Sequence, residues 1–188
     1  MKKLSKGGRL LLLGVILVII DQVVKILVKT HLSLGEGFDV IGHWFRILFI
    51  ENEGMAFGMA FGGVVGKYIL TVSRIVLAIL LVFWIRSLIR KGAPTGLLLS
   101  LTLITAGAVG NVIDCMFYGL VFSPHLPFLQ GRVVDMLYFP LIDTYLFGRH
   151  ITFFDPVFNI ADSCVTIGVF WFIIYGLTHP GTTDSLEH

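Results

Sequence analysis

Four long apolar runs constrain this chain more than any other feature; they cover approximately residues 10–28, 65–88, 97–115 and 157–177. A helix crossing the hydrocarbon core of a bilayer needs about 20 mostly apolar residues, and each run supplies them. Of the 188 residues, 56% are hydrophobic and only 14% charged, where a soluble domain carries about a quarter. The expected fold is therefore a mainly α membrane protein, a bundle of four transmembrane helices. One domain over residues 1–185 accounts for the length, and Leu186-Glu187-His188 reads as the stub of a purification tag. The first run is not read as a cleavable signal: no small-x-small site follows it, and Asp21 and Lys25 lie inside it.

Basic residues orient the bundle. Lys2, Lys3, Lys6 and Arg9 precede the first helix, and Arg86, Arg90 and Lys91 lie between the second and third. Both regions, and with four spans both termini, are expected on the cytoplasmic side. Segments of about 30–64 and 116–156 then lie outside. In the first, Phe45 to Asn52 is rich in β-formers and flanked by Gly35, Gly37, Gly42 and Gly54, which predicts a small extracytoplasmic sheet. Trp44, Phe45 and Phe49 are expected as anchors at headgroup depth. The second segment carries Pro124, Pro127, Pro140 and Pro156 and shows no helical period. The polar tail after Thr178 is expected to be disordered. The formal charge of +2 is too small to suggest nucleic acid.

Two acids stand out: Asp135 in Gly131-Arg132-Val133-Val134-Asp135-Met136, and Asp162 in Phe158-Asn159-Ile160-Ala161-Asp162-Ser163. A carboxylate at a membrane segment is costly and marks a functional site by default. The topology brings both to the outer leaflet, where a meeting pair can share one proton and divide acid and base roles. That is the chemistry of an aspartyl peptidase. One carboxylate deprotonates a water that attacks a peptide carbonyl, and the other stabilises the oxyanion and protonates the leaving amine. Asn52, Asn111 and Asn159 are candidates to hold the substrate backbone or the carboxyls.

Competing chemistries are weaker. Ser163 has no histidine in register, Cys115 and Cys164 read as buried apolar residues, and no metal-ligand spacing is present, so neither metal nor cofactor is expected. Asp21 and Lys25, four apart with the acid first, read as a structural ion pair facing other helices. Thr102, Thr105, Asn111 and Asp114 trace one polar stripe, with Gly107 and Gly110 permitting close helix approach; Asn159, Asp162, Ser163 and Thr166 trace another. The residues alone leave two other readings open. One is a proton-coupled carrier or channel with Asp21, Asp114, Asp135 and Asp162 as a relay; the other is a non-catalytic membrane adaptor.

Five blocks, in order, resemble the lipoprotein signal peptidase (signal peptidase II) family. They are Asp21-Gln22-Val23-Val24-Lys25, Asn52-Glu53-Gly54-Met55-Ala56-Phe57-Gly58, Gly110-Asn111-Val112-Ile113-Asp114, the block ending at Asp135, and the block around Asp162. The resemblance implies removal of signal peptides from bacterial prolipoproteins, before a cysteine already carrying diacylglyceryl, at the cytoplasmic (inner) membrane. It implies a catalytic dyad of Asp135 and Asp162, with Asn52, Gly54, Asn111, Asp114, Asn159 and Arg132 binding substrate or supporting the site. It further implies a β-cradle and mobile loop over about Phe38 to Phe61, and inhibition by globomycin-type peptides. Lipidated precursors and membrane lipids are the expected partners of a monomer. The chain departs from the family at Cys115, where arginine is usual, with Arg132 and Arg149 as candidate replacements. The stretch between Asp114 and Gly131 is also longer than usual.

Overall fold

The computed structural model describes residues 4–53, 63–123, 125–140, 142–146, 149–153 and 156–179. Helix α1 (Lys6–His31) leads into strands β1 (Gly37–Ile41) and β2 (Phe45–Asn52). Helices α2 (Gly63–Arg90) and α3 (Thr95–Ile113) follow, joined through Gly92, whose φ of 76° supplies the left-handed turn that ends α2. After α3 come a π-helical turn (Asp114–Tyr118) and the short α4 (Gly119–Phe122). Strand β3 (Val133–Tyr138), the β4–β5 hairpin (Ile142–Leu146, Arg149–Phe153) and β6 (Val157–Phe158) then lead to α5 (Ile160–Thr178). Among the described residues, four helices are long and apolar enough to cross a membrane.

Chain direction alone gathers the chemistry at one end. Helix α1 ends and α5 begins at the sheet, and α3 arrives there from the far end. Asp21, Asn111, Asp114, Asp135 and Asp162 thus share the sheet end of the bundle. The sheet runs β1-β2-β3-β6, every neighbour antiparallel. Beneath it Val28, Phe49, Tyr118, Val134 and Met136 form one apolar core. A second core, of Leu10, Leu88, Ala93, Leu97, Leu98 and Leu101, closes the far end.

Helix α3 lies centrally and packs most closely on α5, because glycines face that contact. A Cβ at Gly107 would fall 2.2 Å from the Ala161 carbonyl oxygen, and one at Gly168 would fall 2.8 Å from that of Ser100. Neither is possible without separating the helices.

Several sequence expectations change here. The third span does not stop near residue 115; helix continues to Phe122, because the π turn lets Cys115 to Tyr118 stay wound. Residues 157 and 158 are strand rather than helix. Phe49 is no headgroup anchor: it is 4% exposed, on the core face of β2, whereas Trp44 is 51% exposed. Thr102 and Thr105 donate to the carbonyls of Leu98 and Leu101 in their own helix, both at 2.7 Å, and so do not link helices. Thr166 is exposed and drops out of the α5 stripe.

Candidate active site

Asn159 ends β6's extended run and caps α5, and the local sequence explains why. Its Oδ1 accepts the Asp162 backbone N–H at 2.8 Å, and Asp162 Oδ2 accepts the Asn159 N–H at 3.3 Å. This reciprocal capping box satisfies two of the donors a helix start leaves open. It also fixes Asp162 at the third position of α5, where the helix dipole favours a negative charge.

Asp135 reaches the same place from β3. Pairing of β2 with β3 sets Ile50 opposite Asp135 and Asn52 opposite Val133, so Asn52 and Asp135 are diagonal neighbours on one face. Asn52 Nδ2 donates to Asp135 Oδ2 at 3.1 Å, and Asn159 Nδ2 donates to Asp135 Oδ1 at 2.7 Å. Asn111 Nδ2 donates to Asp162 Oδ1 at 2.7 Å, and Asn159 Nδ2 also reaches Asn111 Oδ1 at 3.1 Å. Asn159 thus touches both acid-bearing segments, and neutral amides hold both carboxylates. Burial, and after it the Asp162 carboxylate, push Asp135 up to about 6, against the pull of the Asn52 and Asn159 donors.

Directly beneath lies a second acid cluster. Lys25, fully buried, lies 2.9 Å from Asp21 Oδ2 and 2.8 Å from Asp114 Oδ2, and donates to Asn111 Oδ1 at 2.9 Å. The expected Asp21–Lys25 pair is therefore three residues with a shared cation. Gln22 Nε2 donates to Asp114 Oδ1 at 2.8 Å, and the Ala161 N–H donates to Asp21 Oδ1 at 2.8 Å. Asp21 on α1 thereby holds the first turn of α5.

The π turn joins this cluster to β3. Gly131 N–H bonds the Cys115 carbonyl at 2.9 Å, and a Cβ on Gly131 would lie 2.1 Å from the Asp114 carbonyl oxygen. Only glycine permits that approach. Val134 N–H then donates to Asp114 Oδ2 at 3.3 Å, so the Asp114 and Asp135 blocks are stitched together despite the long intervening stretch.

Other expected site residues fare differently. Arg132 is engaged by Glu51 at 3.3 Å and Glu53 at 3.2 Å, with Lys29 paired to Glu51, and it does not stand at Cys115. The guanidinium found there is Arg74 of α2, whose Nη1 lies 3.5 Å from Cys115 Sγ. Gly54, the loop from residue 54 to 61 and the Arg149 side chain lie outside the described residues. Arg74 and Tyr118 were not among the expected site residues, and Gln22 stood only within a family block. Lys67, Thr71 and Arg74, spaced four and three apart on an apolar helix, were the available signal for the first.

A family model described as signal peptidase (SPase) II matches residues 13–178. A lipoprotein signal peptidase of Porphyromonas gingivalis is 39% identical, over 99% of this chain and 89% of that protein. One of Staphylococcus aureus is 37% identical, over 89% of this chain and 86% of that one. A solved bacterial membrane enzyme superposes with a TM-score of 0.65 at 34% identity, covering 93% of this chain and 90% of its own. These likenesses lend the carrier reading no support. Joined along nearly its whole length to such relatives, this multi-pass membrane chain belongs to the signal peptidase II family of peptidases.

Proposed function

We propose that this protein removes signal peptides from prolipoproteins as an aspartyl endopeptidase, cutting before the diacylglyceryl-modified cysteine, with Asp135 and Asp162 as the catalytic pair. The observation that carries the reading is Asn159, whose one side chain bonds the Asp135 carboxylate and the Asp162 backbone together. Among the described residues no cation pairs directly with these acids, and Asp135, buried with amides as its partners, gains too little to be retained for packing.

The division of labour follows from position. Asp162, at a helix start, is the base; Asp135, in the strand and 2% exposed, carries the proton. Asp162 takes a proton from water while the water oxygen bonds the scissile carbonyl carbon. Asp135 hydrogen-bonds the developing oxyanion. As the tetrahedral centre collapses, the C–N bond breaks and Asp135 gives its proton to the departing amine. The proton on Asp162 then restores Asp135, and the cycle closes without a metal or cofactor. Asn52 holds the Asp135 carboxyl and Asn111 the Asp162 carboxyl.

The termini are assigned to the cytoplasm and the pair to the outer leaflet. The basic residues at Lys6, Arg9, Arg86, Arg90 and Lys91, all at the end of the bundle away from the sheet, support that orientation. The protein acts as a monomer, and globomycin-type peptides would compete for the same pair.

The test is incubation of the purified protein with a diacylglyceryl-modified precursor and with its unmodified form, products read by mass spectrometry. Cleavage of the modified form alone, immediately before the cysteine and abolished by Asp135→Asn, is expected. Equal cutting of both forms, or full turnover by Asp135→Asn, contradicts the proposal.

A further inference from the structure

We infer that Lys25 is a positioning residue for this reaction: its ammonium fixes which way the Asn111 amide faces, and so secures the hydrogen bond that Asn111 donates to Asp162. The inference rests on the catalytic pair proposed above.

An ammonium has three N–H groups and accepts nothing. Lys25 commits all three, to Asp21 Oδ2, Asp114 Oδ2 and Asn111 Oδ1, at 2.9, 2.8 and 2.9 Å. The Asn111 atom facing Lys25 must therefore be oxygen, and the same oxygen takes the Asn159 amide N–H at 3.1 Å. That leaves Nδ2 facing Asp162 Oδ1 at 2.7 Å. Rotating the amide by half a turn would set its NH2 against two donors and its oxygen against a carboxylate. Each contact would turn repulsive.

The acid partners of Lys25 make the arrangement rigid. Asp21 accepts the Ala161 N–H of α5, one residue before Asp162, and Asp114 accepts the Val134 N–H of β3, one residue before Asp135. One cation thus ties the orienting amide to both segments that carry the acids. A lysine needed only for folding has no reason to spend its third proton on an amide that points at the reacting group.

Lys25→Met alone leaves two buried acids without their cation, so the variant is built on Asp114→Asn. The double variant carries the parent's net charge, one unit more negative than Asp114→Asn alone, a difference that the charge-preserving Lys25→Arg variant controls. Turnover of a diacylglyceryl-modified precursor is compared with that of Asp114→Asn, per folded molecule. The expected result is a kcat lower by about 10- to 100-fold with KM within about twofold, the pattern of a misplaced reacting group. Adding Asn111→Ala to both members should erase the difference, because the two residues act in series.

A second variant retains the charge. Lys25→Arg can fork onto Asp21 and Asp114, but its planar donors cannot also meet Asn111, so kcat should fall roughly tenfold with little change in melting temperature. Parental kcat in Lys25→Arg, or a Lys25 effect that survives Asn111→Ala, overturns the inference. Asp162→Asn in the same assay separates the two ideas. If it is inert while the Lys25 variants run at parental rate, only the role of Lys25 is lost; if it turns over, the catalytic pair itself is wrong.

Discussion

Two groups of acids sit a side chain apart in this molecule and differ in one respect. Asp21 and Asp114 share the Lys25 ammonium, whereas Asp135 and Asp162 are held by asparagine amides. Asp21, Asp114 and Asp135 are buried, at a cost to each charge, and Asp162 is half-buried. The first group offsets its cost by ion pairing and gains fixed geometry, since its carboxylates hold backbone N–H groups of α5 and β3. In the second, burial and after it the Asp162 carboxylate hold Asp135 up to about 6, where a carboxyl exchanges protons near neutral pH. A directly paired cation distinguishes the acids that hold this fold from those proposed to react.

The largest effect that would sharpen the contrast is on the structural side. Asp21→Asn replaces one of two acceptor oxygens with an NH2 donor, so either Lys25 or the Ala161 N–H loses its partner. It should cost about 2 kcal/mol or more of stability, read as a lower melting temperature in detergent. Turnover per folded molecule should stay within about threefold. A stable but inactive Asp21→Asn would break the comparison. Gly107→Ala comes next. Its Cβ would strike the Ala161 carbonyl, forcing α3 from α5 at a cost of about 1–3 kcal/mol. It should also slow turnover, because Asn111 would be drawn away from Asp162.

A smaller effect comes from pH. An acid raised to about 6 binds its proton more tightly in the folded state than in the unfolded chain, where it titrates near 4. Its contribution to stability is complete below about 4 and lost as pH rises through about 6. Melting temperature should therefore drop between pH 5 and pH 7.5 by more in the parent than in Asp135→Asn. Parallel curves would place the raised acid elsewhere. The smallest change belongs to Arg132, which is 43% exposed at its side chain. Burial would raise Glu51, but Lys29 and Arg132 hold it below the usual carboxylate range. Arg132→Gln should cost less than about 1 kcal/mol, and less still in high salt.

What the sequence disclosed follows the range of the interactions involved. Helices were legible from length and apolarity, and the convergence of Asp135 and Asp162 on one end of the bundle from chain direction. Asp21 and Lys25 were legible because helical spacing is local. Asp114 as their third partner was not, since it depends on how α3 meets α1. Phe49 was misread because a strand's core face is settled only when pairing is known. Thr102 and Thr105 were misread because a hydroxyl in a helix can bond its own backbone four residues back. The end of α3 was misplaced because a π turn extends a helix without any composition signal.

The central claim is that the amide-held acids do the chemistry and the lysine-held acids do not. Its most direct test is turnover of a lipid-modified precursor by Asp162→Asn, measured beside Asp21→Asn and normalised to folded protein. The account predicts a loss of about a thousandfold or more for Asp162→Asn, with only a small change for Asp21→Asn. Comparable turnover in the two variants would contradict it.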